Sequence, residues 1–287
     1  MRGLRLSTNR LTRYRGGEGR TRESEWRRIA LADLKGRVAL VTGGSRGVGR
    51  GIATRLAADG ATVALNYRRD EAAADEVVAA ITAAGGTAVG YRAAVDDADA
   101  VAAMVAAIER DLGTVDLLVS NAGTASRGTS IADTGPEEYM RLLRVHTLGP
   151  LELVRLLLPG MRTRARSDVV VISSSIVGET PPGGAPYTMA KAALEAAART
   201  LAREERRHGV RVNIVAPGLV ATDMGSRLAA AAAGRTIEEL DPSYPFGRVA
   251  RPDDVAGVVA FLASTDADYL TGQRIQVDAG GPDSTLL

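Results

Sequence analysis

The chain has 287 residues, 45% hydrophobic and 24% charged, with no cysteine and a formal net charge of +2 at pH 7. That length supports one sizeable core or two small ones, and the lack of cysteine excludes disulfides, thiolate metal sites and cysteine nucleophiles. No run reaches the roughly 18 apolar residues of a membrane span, so a soluble, cytoplasmic protein with no membrane partner and no metal site is expected.

The charge is unevenly placed. Residues 1 to 32 carry nine arginines and three glutamates, a net of +6, which leaves the rest of the chain at 2 minus 6, or −4. This leader lacks the apolar stretch of a secretory signal. Either it is a basic arm that touches nucleic acid or an acidic partner, or it is a disordered extension or mis-set translation start without a role. The second reading is the expectation: residues 1 to 33 poorly ordered, nucleic acid not a partner, and residues 34 to 287 one domain.

Beyond the leader, short β-branched runs alternate with alanine- and leucine-rich helical patterns, the mark of βαβ units. The predicted strands are "RVALVT" (37 to 42), "TVALNY" (62 to 67), "TAVGYR" (87 to 92), "VDLLVS" (115 to 120), "DVVVIS" (168 to 173), "RVNIVA" (211 to 216) and "RIQVDA" (274 to 279). Helices are predicted at 47 to 59, 70 to 84, 97 to 112, 136 to 161, 186 to 208 and 252 to 264. The fold class is therefore α/β, a parallel sheet with helices on both faces.

The first strand runs into "TGGSRGVG", with Gly43, Gly47 and Gly49 ahead of a helix. Such a turn lets the backbone approach a pyrophosphate while the helix amino terminus supplies free N–H groups. At the end of the second strand, "ALNYRRD" places Tyr67 where an acid would meet a ribose 2′-hydroxyl, and Arg68 follows. With Arg46 in the glycine turn, this favours a 2′-phosphate, hence NADP(H) over NAD(H).

Downstream, "YTMAK" sets Tyr187 and Lys191 one helical turn apart. The chain has only two lysines, at 35 and 191, among 36 cations. A neighbouring ammonium lowers the pKa of a phenol, making it a usable proton donor to a carbonyl. Just upstream, "ISSSIVG" offers Ser173, Ser174 and Ser175 at a strand's carboxyl end to orient a substrate oxygen.

Taken together, "TGGSRGVG", "NAG" (121 to 123), a serine with "YTMAK", "NIVAPG" (213 to 218) and the ending "GRVARPDDVAGVVAFLAS…YLTGQRIQVDAGG" resemble the short-chain dehydrogenase/reductase family from about residue 34 to 281. The resemblance implies a Rossmann-type seven-stranded sheet in the order 3-2-1-4-5-6-7, with NAD(P)(H) across the strands' carboxyl ends. It implies Tyr187 as general acid/base and Lys191 as the residue that tunes it and holds the nicotinamide ribose. The serine of "SSxxG" aligns as Ser175, twelve residues before Tyr187; the family's commoner interval of thirteen would select Ser174, and Ser175 is taken because "ETPPGGAP" can be one residue short.

The implied cofactor contacts are Gly43, Ser45, Arg46, Gly47, Val48, Gly49, Tyr67, Arg68, Val95, Asn121, Ala122, Gly123, Tyr187, Lys191, Pro217, Gly218, Val220 and Thr222. Three positions depart from the pattern. His146 stands where the family has a catalytic asparagine, whose role runs mostly through its backbone carbonyl; the histidine either adds a titrating group near pH 6 to 7 or only packs. Ala94 replaces an adenine-contacting aspartate, leaving the main chain of Val95, and Ser120 replaces the first of two asparagines.

The motifs most resemble 3-oxoacyl-(acyl-carrier-protein) reductases. The expected function is NADP(H)-dependent interconversion of a ketone and a secondary alcohol, with a 3-oxoacyl thioester of acyl carrier protein or CoA as the foremost substrate. Polyketide, steroid, sugar and quinone ketones are the alternatives, and a non-catalytic dinucleotide sensor with a basic arm is the reading from another class. Arg166, Arg207 and His208 are candidates for cations that would meet an acidic carrier protein beside the cleft. Residues 219 to 246 are expected to form a helical lid, and the resemblance implies a homotetramer.

Overall fold

The structure, a computed structural model, describes residues 32–281. The expectations for residues 1 to 31 lie outside the described residues. Strands β1 (Val38–Val41), β2 (Thr62–Tyr67), β3 (Thr87–Arg92), β4 (Leu117–Ser120), β5 (Ser167–Ile172), β6 (Val210–Pro217) and β7 (Arg274–Val277) form one sheet. Its order is β3-β2-β1-β4-β5-β6-β7, parallel at every pairing. This is the order that the resemblance implied, and every strand lies within two residues of its predicted position.

The helices are α1 (Gly47–Ala58), α2 (Glu71–Ala83), α3 (Ala98–Leu112), α4 (Pro136–Leu143), α5 (Gly149–Met161), α6 (Ile176–Glu179), α7 (Ala185–Glu205), α8 (Asp223–Ala233), α9 (Ile237–Leu240) and α10 (Pro252–Ala263). Alternation along each strand divides the core in two. On β1, Ala39 and Val41 turn to one face and Leu40 to the other; on β5, Val170 and Ile172 oppose Val169 and Val171, as a side-chain period of two requires. Helices α1, α2 and α10 cover the first face, and α3, α5 and α7 the second. Fully buried Ile52, Leu56, Leu153 and Leu157 each contribute about 1.5–3 kcal/mol of transfer free energy at these interfaces. None of the helices among the described residues is long and apolar enough to cross a membrane.

Residues 136 to 161, predicted as one helix, form two helices joined by a π-helical turn at Arg144–Leu148. Pro150 supplies a physical reason. It has no N–H to donate to the His146 carbonyl four residues back, so a regular helical ladder cannot pass that point. Thr147 Oγ1 donates to Ala190 O at 2.8 Å and ties the turn to α7.

The amino-terminal ends of the strands are closed by ion pairs. Arg37 donates to Asp116 and to Asp168, both at 2.8 Å, and Arg166 and Arg211 converge on the same Asp168. Both carboxylates are buried, an arrangement that is tolerable only with such pairing. The expectation that Arg166, Arg207 and His208 flank the cleft is corrected here. Arg166 precedes β5 and is engaged by Asp168 and Asp268, and Arg207 donates to His208 in the turn before β6. Residues ahead of parallel strands lie at the end of the sheet opposite a carboxyl-end cleft.

Residues 219 to 246 hold α8, α9 and two tight turns. Ala229, Ile237, Leu240 and Val249 make a small core of their own with Leu219, Ala221 and Tyr244, apart from the two main cores.

Candidate functional site

The glycine turn links β1 to α1 and is packed from two sides. Asn121 Nδ2 donates to Thr42 O at 2.9 Å, and the N–H groups of Asn121 and Ala122 both donate to Thr42 Oγ1. Asn66 Oδ1 accepts from Gly43 N at 3.3 Å, and Asn66 O accepts from Gly44 N at 2.9 Å. Gly49 is required by proximity: a Cβ there would lie 2.2 Å from Gly43 O and 2.5 Å from Asn121 Nδ2. Helix α1 starts with no side-chain cap at Arg46, whereas Asp70 and Asp97 cap the next two helices. Its first-turn N–H groups are therefore available to an anion, and Ser45, Gly47 and Val48 lie in the same turn. The residues fit a dinucleotide's pyrophosphate.

Other predicted contacts gather around this turn. Thr222 caps α8 by accepting from Gly225 N at 3.1 Å, and its Cγ2 stands 3.3 Å from where a Cβ on Gly47 would sit. Val220 forms an isolated bridge with Ala250. Val95 is buried in the segment after β3. At the end of β2, Tyr67 is buried and Arg68 is exposed, with Arg68 4.0 Å from Asp96 and Arg46 2.6 Å from Asp70.

Tyr187, Lys191 and His146 form one group. Lys191 is buried, donates from Nζ to Ile172 O at 2.6 Å, and places Nζ 5.7 Å from the centre of the Tyr187 ring. His146 meets that ring edge-on, with centroids 5.0 Å apart. Burial pushes the Tyr187 phenol up to about 12. The expected lowering by Lys191 does not accompany it: burial pushes the ammonium itself down to about 7, against the opposing pull of Glu195.

His146 is corrected as a titrating group near neutrality. Burial, reinforced by the Lys191 charge, pushes it down to about 3, so the ring is neutral at pH 6 to 7. Nε2 lies 2.8 Å from Thr124 O and 3.2 Å from Thr124 N. These contacts call for opposite tautomers; the shorter makes Nε2 a donor to the carbonyl and leaves Nδ1 bare and buried. Gly123 makes room for the ring, because a Cβ there would stand 2.7 Å from His146 Cε1.

The three serines part company in space. Ser173 Oγ donates to Glu195 Oε1 at 2.7 Å; Ser174 Oγ accepts from Ile176 N at 3.4 Å. Ser175, whose N–H donates to Pro217 O at 2.8 Å, lines a cavity of about 210 Å³ together with Glu179, Gly218, Tyr244, Phe246 and Asp278. Tyr187 and Lys191 stand on α7, on which α6 packs directly after Ser175. Two charged residues here escaped the sequence reading: Glu195, whose signal was its place four residues after Lys191, and Arg274, which donates to Glu195 from β7.

Comparison with known proteins fits this geometry. A family model described as enoyl-(acyl carrier protein) reductase matches residues 43–281. An uncharacterised oxidoreductase of Methylorubrum extorquens is 39% identical over 87% of this chain and 99% of its own length. A 3-oxoacyl-[acyl-carrier-protein] reductase of Staphylococcus aureus is 37% identical over 84% of this chain and 96% of its own. Among solved structures, the angucycline C-6 ketoreductase LanV with bound NADP superposes with a TM-score of 0.78 at 35% identity, covering 86% of this chain and 96% of that one. With its glycine turn, its parallel sheet order and relatives matched over nearly their full length, the chain belongs to the short-chain dehydrogenase/reductase family of oxidoreductases.

Proposed function

We propose that residues 34–287 form one NADP(H)-dependent catalytic domain that interconverts a ketone and a secondary alcohol, with a 3-oxoacyl thioester as substrate. The observation that carries this reading is Tyr187 grouped with Lys191 on α7 while Ser175 faces a cavity at the carboxyl end of the sheet. The glycine turn, Asn121 and Thr222 would hold the dinucleotide, with Arg46 and Arg68 at its 2′-phosphate. When bound, it supplies the hydride to the carbonyl carbon or accepts it from the alcohol.

The chain's own groups handle the proton. A phenol pushed up to about 12 is protonated at neutral pH, so Tyr187 is a ready donor to a carbonyl oxygen. Ser175 Oγ, which has no hydrogen-bond partner among the described residues, orients that oxygen. Lys191, fixed by the Ile172 carbonyl, supplies positive charge next to the phenol as it loses its proton. The His146 ring, neutral and wedged against Gly123, holds the Tyr187 ring edge-on.

The thioester reading draws support from the staphylococcal relative. A hydroxylated ring ketone is a second reading, favoured by the cavity wall: Glu179 and Asp278 offer carboxylate acceptors, Tyr244 and Phe246 offer aromatic faces, and Arg248 is occupied by Asp254. LanV, an angucycline C-6 ketoreductase, is a structural neighbour. NADPH consumption with acetoacetyl-CoA, acetoacetyl carrier protein and hydroxylated aromatic ring ketones separates them. Turnover of the thioesters at least about tenfold above the ring ketones is expected, a difference of about 1.4 kcal/mol in the barrier; the reverse order would replace the thioester by the ring ketone.

A homotetramer is proposed as well. Met140, Leu148 and Leu151 on α4 to α5, Met189 on α7 and Phe261 on α10 are exposed apolar residues on helices, suited to burial between copies. Sedimentation equilibrium should return four chain masses, and a monomer mass would overturn this assembly.

A further inference from the structure

Glu195 lies one helical turn beyond Lys191 on α7, 2% exposed, and has no part in the proton transfer described above. Its Oε1 accepts from Ser173 Oγ at 2.7 Å and from Arg274 Nε at 2.9 Å, and its Oε2 accepts from Arg199 at 2.8 Å. Arg274 extends the network, donating to Ser174 O at 3.1 Å and to Gln276 at 2.7 Å. One carboxylate thereby joins α7, the end of β5 and the edge strand β7. Both residues that immediately precede Ser175 are held by it, Ser173 directly and Ser174 through the arginine.

A buried carboxylate is costly unless paired, and here two guanidiniums pair it. A glutamine would keep the bonds that Oε1 accepts but not the one from Arg199, because its amide nitrogen only donates; the charge has a second reason as well. The groups facing Lys191 supply it. Tyr187 approaches it from its own helix and the Ile172 carbonyl from β5, while His146 in the π-turn meets the Tyr187 ring edge-on. None of these carries negative charge at neutral pH. Glu195 is the anion that opposes the loss of charge which burial imposes on this lysine.

We propose that Glu195 is a positioning residue of the active site: it fixes the strand end that carries Ser175, through Ser173 and Arg274, and it opposes the loss of the Lys191 charge. The proposal rests on the catalytic reading of Tyr187 and Lys191, yet one of its tests does not. The chain has only two lysines, exposed Lys35 and buried Lys191. Protein labelled with ¹³Cε-lysine therefore gives two resonances, and Lys191 can be titrated by NMR without any substrate.

In Glu195→Gln the midpoint of the buried lysine should fall by about 1 to 3 pH units while Lys35 stays put. Removing a nearby anion disfavours the ammonium, so the alkaline limb of kcat/KM for reduction of the best ketone from the panel should move to lower pH by the same interval. Glu195→Asp keeps the charge and shortens the reach; it should leave the midpoint in place and lower kcat. A Lys191 midpoint unmoved in Glu195→Gln overturns the electrostatic role, and unchanged kcat in both variants overturns the positioning role.

Arg274→Gln tests the network from the other side should Glu195→Gln fail to fold. Losing one cation beside Glu195 should raise the Lys191 midpoint, and freeing the Ser174 carbonyl should lower kcat; no change in either overturns the proposal. If the unmodified protein turns over no ketone, the reductase reading falls, and the NMR titration still decides the role of Glu195.

Discussion

Tyr187→Phe is expected to lower ketone reduction at saturating NADPH by about 10²–10⁴-fold, with NADPH affinity unchanged. The substitution isolates one atom. A phenyl ring preserves the edge-on packing against His146 and the spacing to Lys191, so only the proton donor is lost. The pH dependence carries a second signature. Because the phenol is pushed up to about 12, reduction by the unmodified enzyme uses a donor that is protonated across neutral pH. Alcohol oxidation needs the phenolate and should climb as pH rises. Steady-state NADPH consumption and a fluorescence titration of NADPH decide the matter. Retained turnover would remove Tyr187 from the chemistry, and retained binding with no turnover by the unmodified protein would return the chain to the dinucleotide-sensor reading.

The double variant Arg46→Ala, Arg68→Ala is expected to raise the NADPH dissociation constant by about 100-fold or more, since a hydrogen bond to a charged group is worth about 1.5–3 kcal/mol. NADH, which lacks the 2′-phosphate, should be little affected. Both guanidiniums are about half exposed, and their present partners, Asp70 and Asp96, are surface carboxylates. Exposed pairs of that kind contribute about 0–1 kcal/mol, so they exchange readily for a phosphate dianion. Tyr67 stands at the end of β2, where the resemblance would put an acid on a ribose 2′-hydroxyl. Isothermal titration with both cofactors gives the answer. Equal losses for NADPH and NADH would mean that the arginines steer any dinucleotide and do not read its phosphate.

Much of the fold was legible along the chain because its strands are short, β-branched and nearly continuous in apolar character. A parallel sheet buried on both faces writes that pattern directly into sequence, and β1 to β7 fell where it placed them. The interruption between α4 and α5 was missed, although Pro150 advertised it, because hydrophobic periodicity runs through the π-turn without a break. The cations proposed beside the cleft failed for another reason. Position along the sequence says nothing about which end of the sheet a residue occupies until strand direction is known, and Arg166, Arg207 and His208 all precede strands.

The glycine turn, a tyrosine in place of an acid at the end of β2, and the Tyr187 to Lys191 interval are local properties, determined by neighbours within a few residues of one another. Sequence alone was enough to write them down. Charge state and side-chain direction are different, since they depend on groups distant along the chain. Only the tertiary structure buries His146 until it cannot titrate near neutrality, turns Ser173 to Glu195 while Ser175 faces the cavity, and carries Arg274 from the far edge of the sheet to hold them. Desolvation and long-range pairing arise from packing.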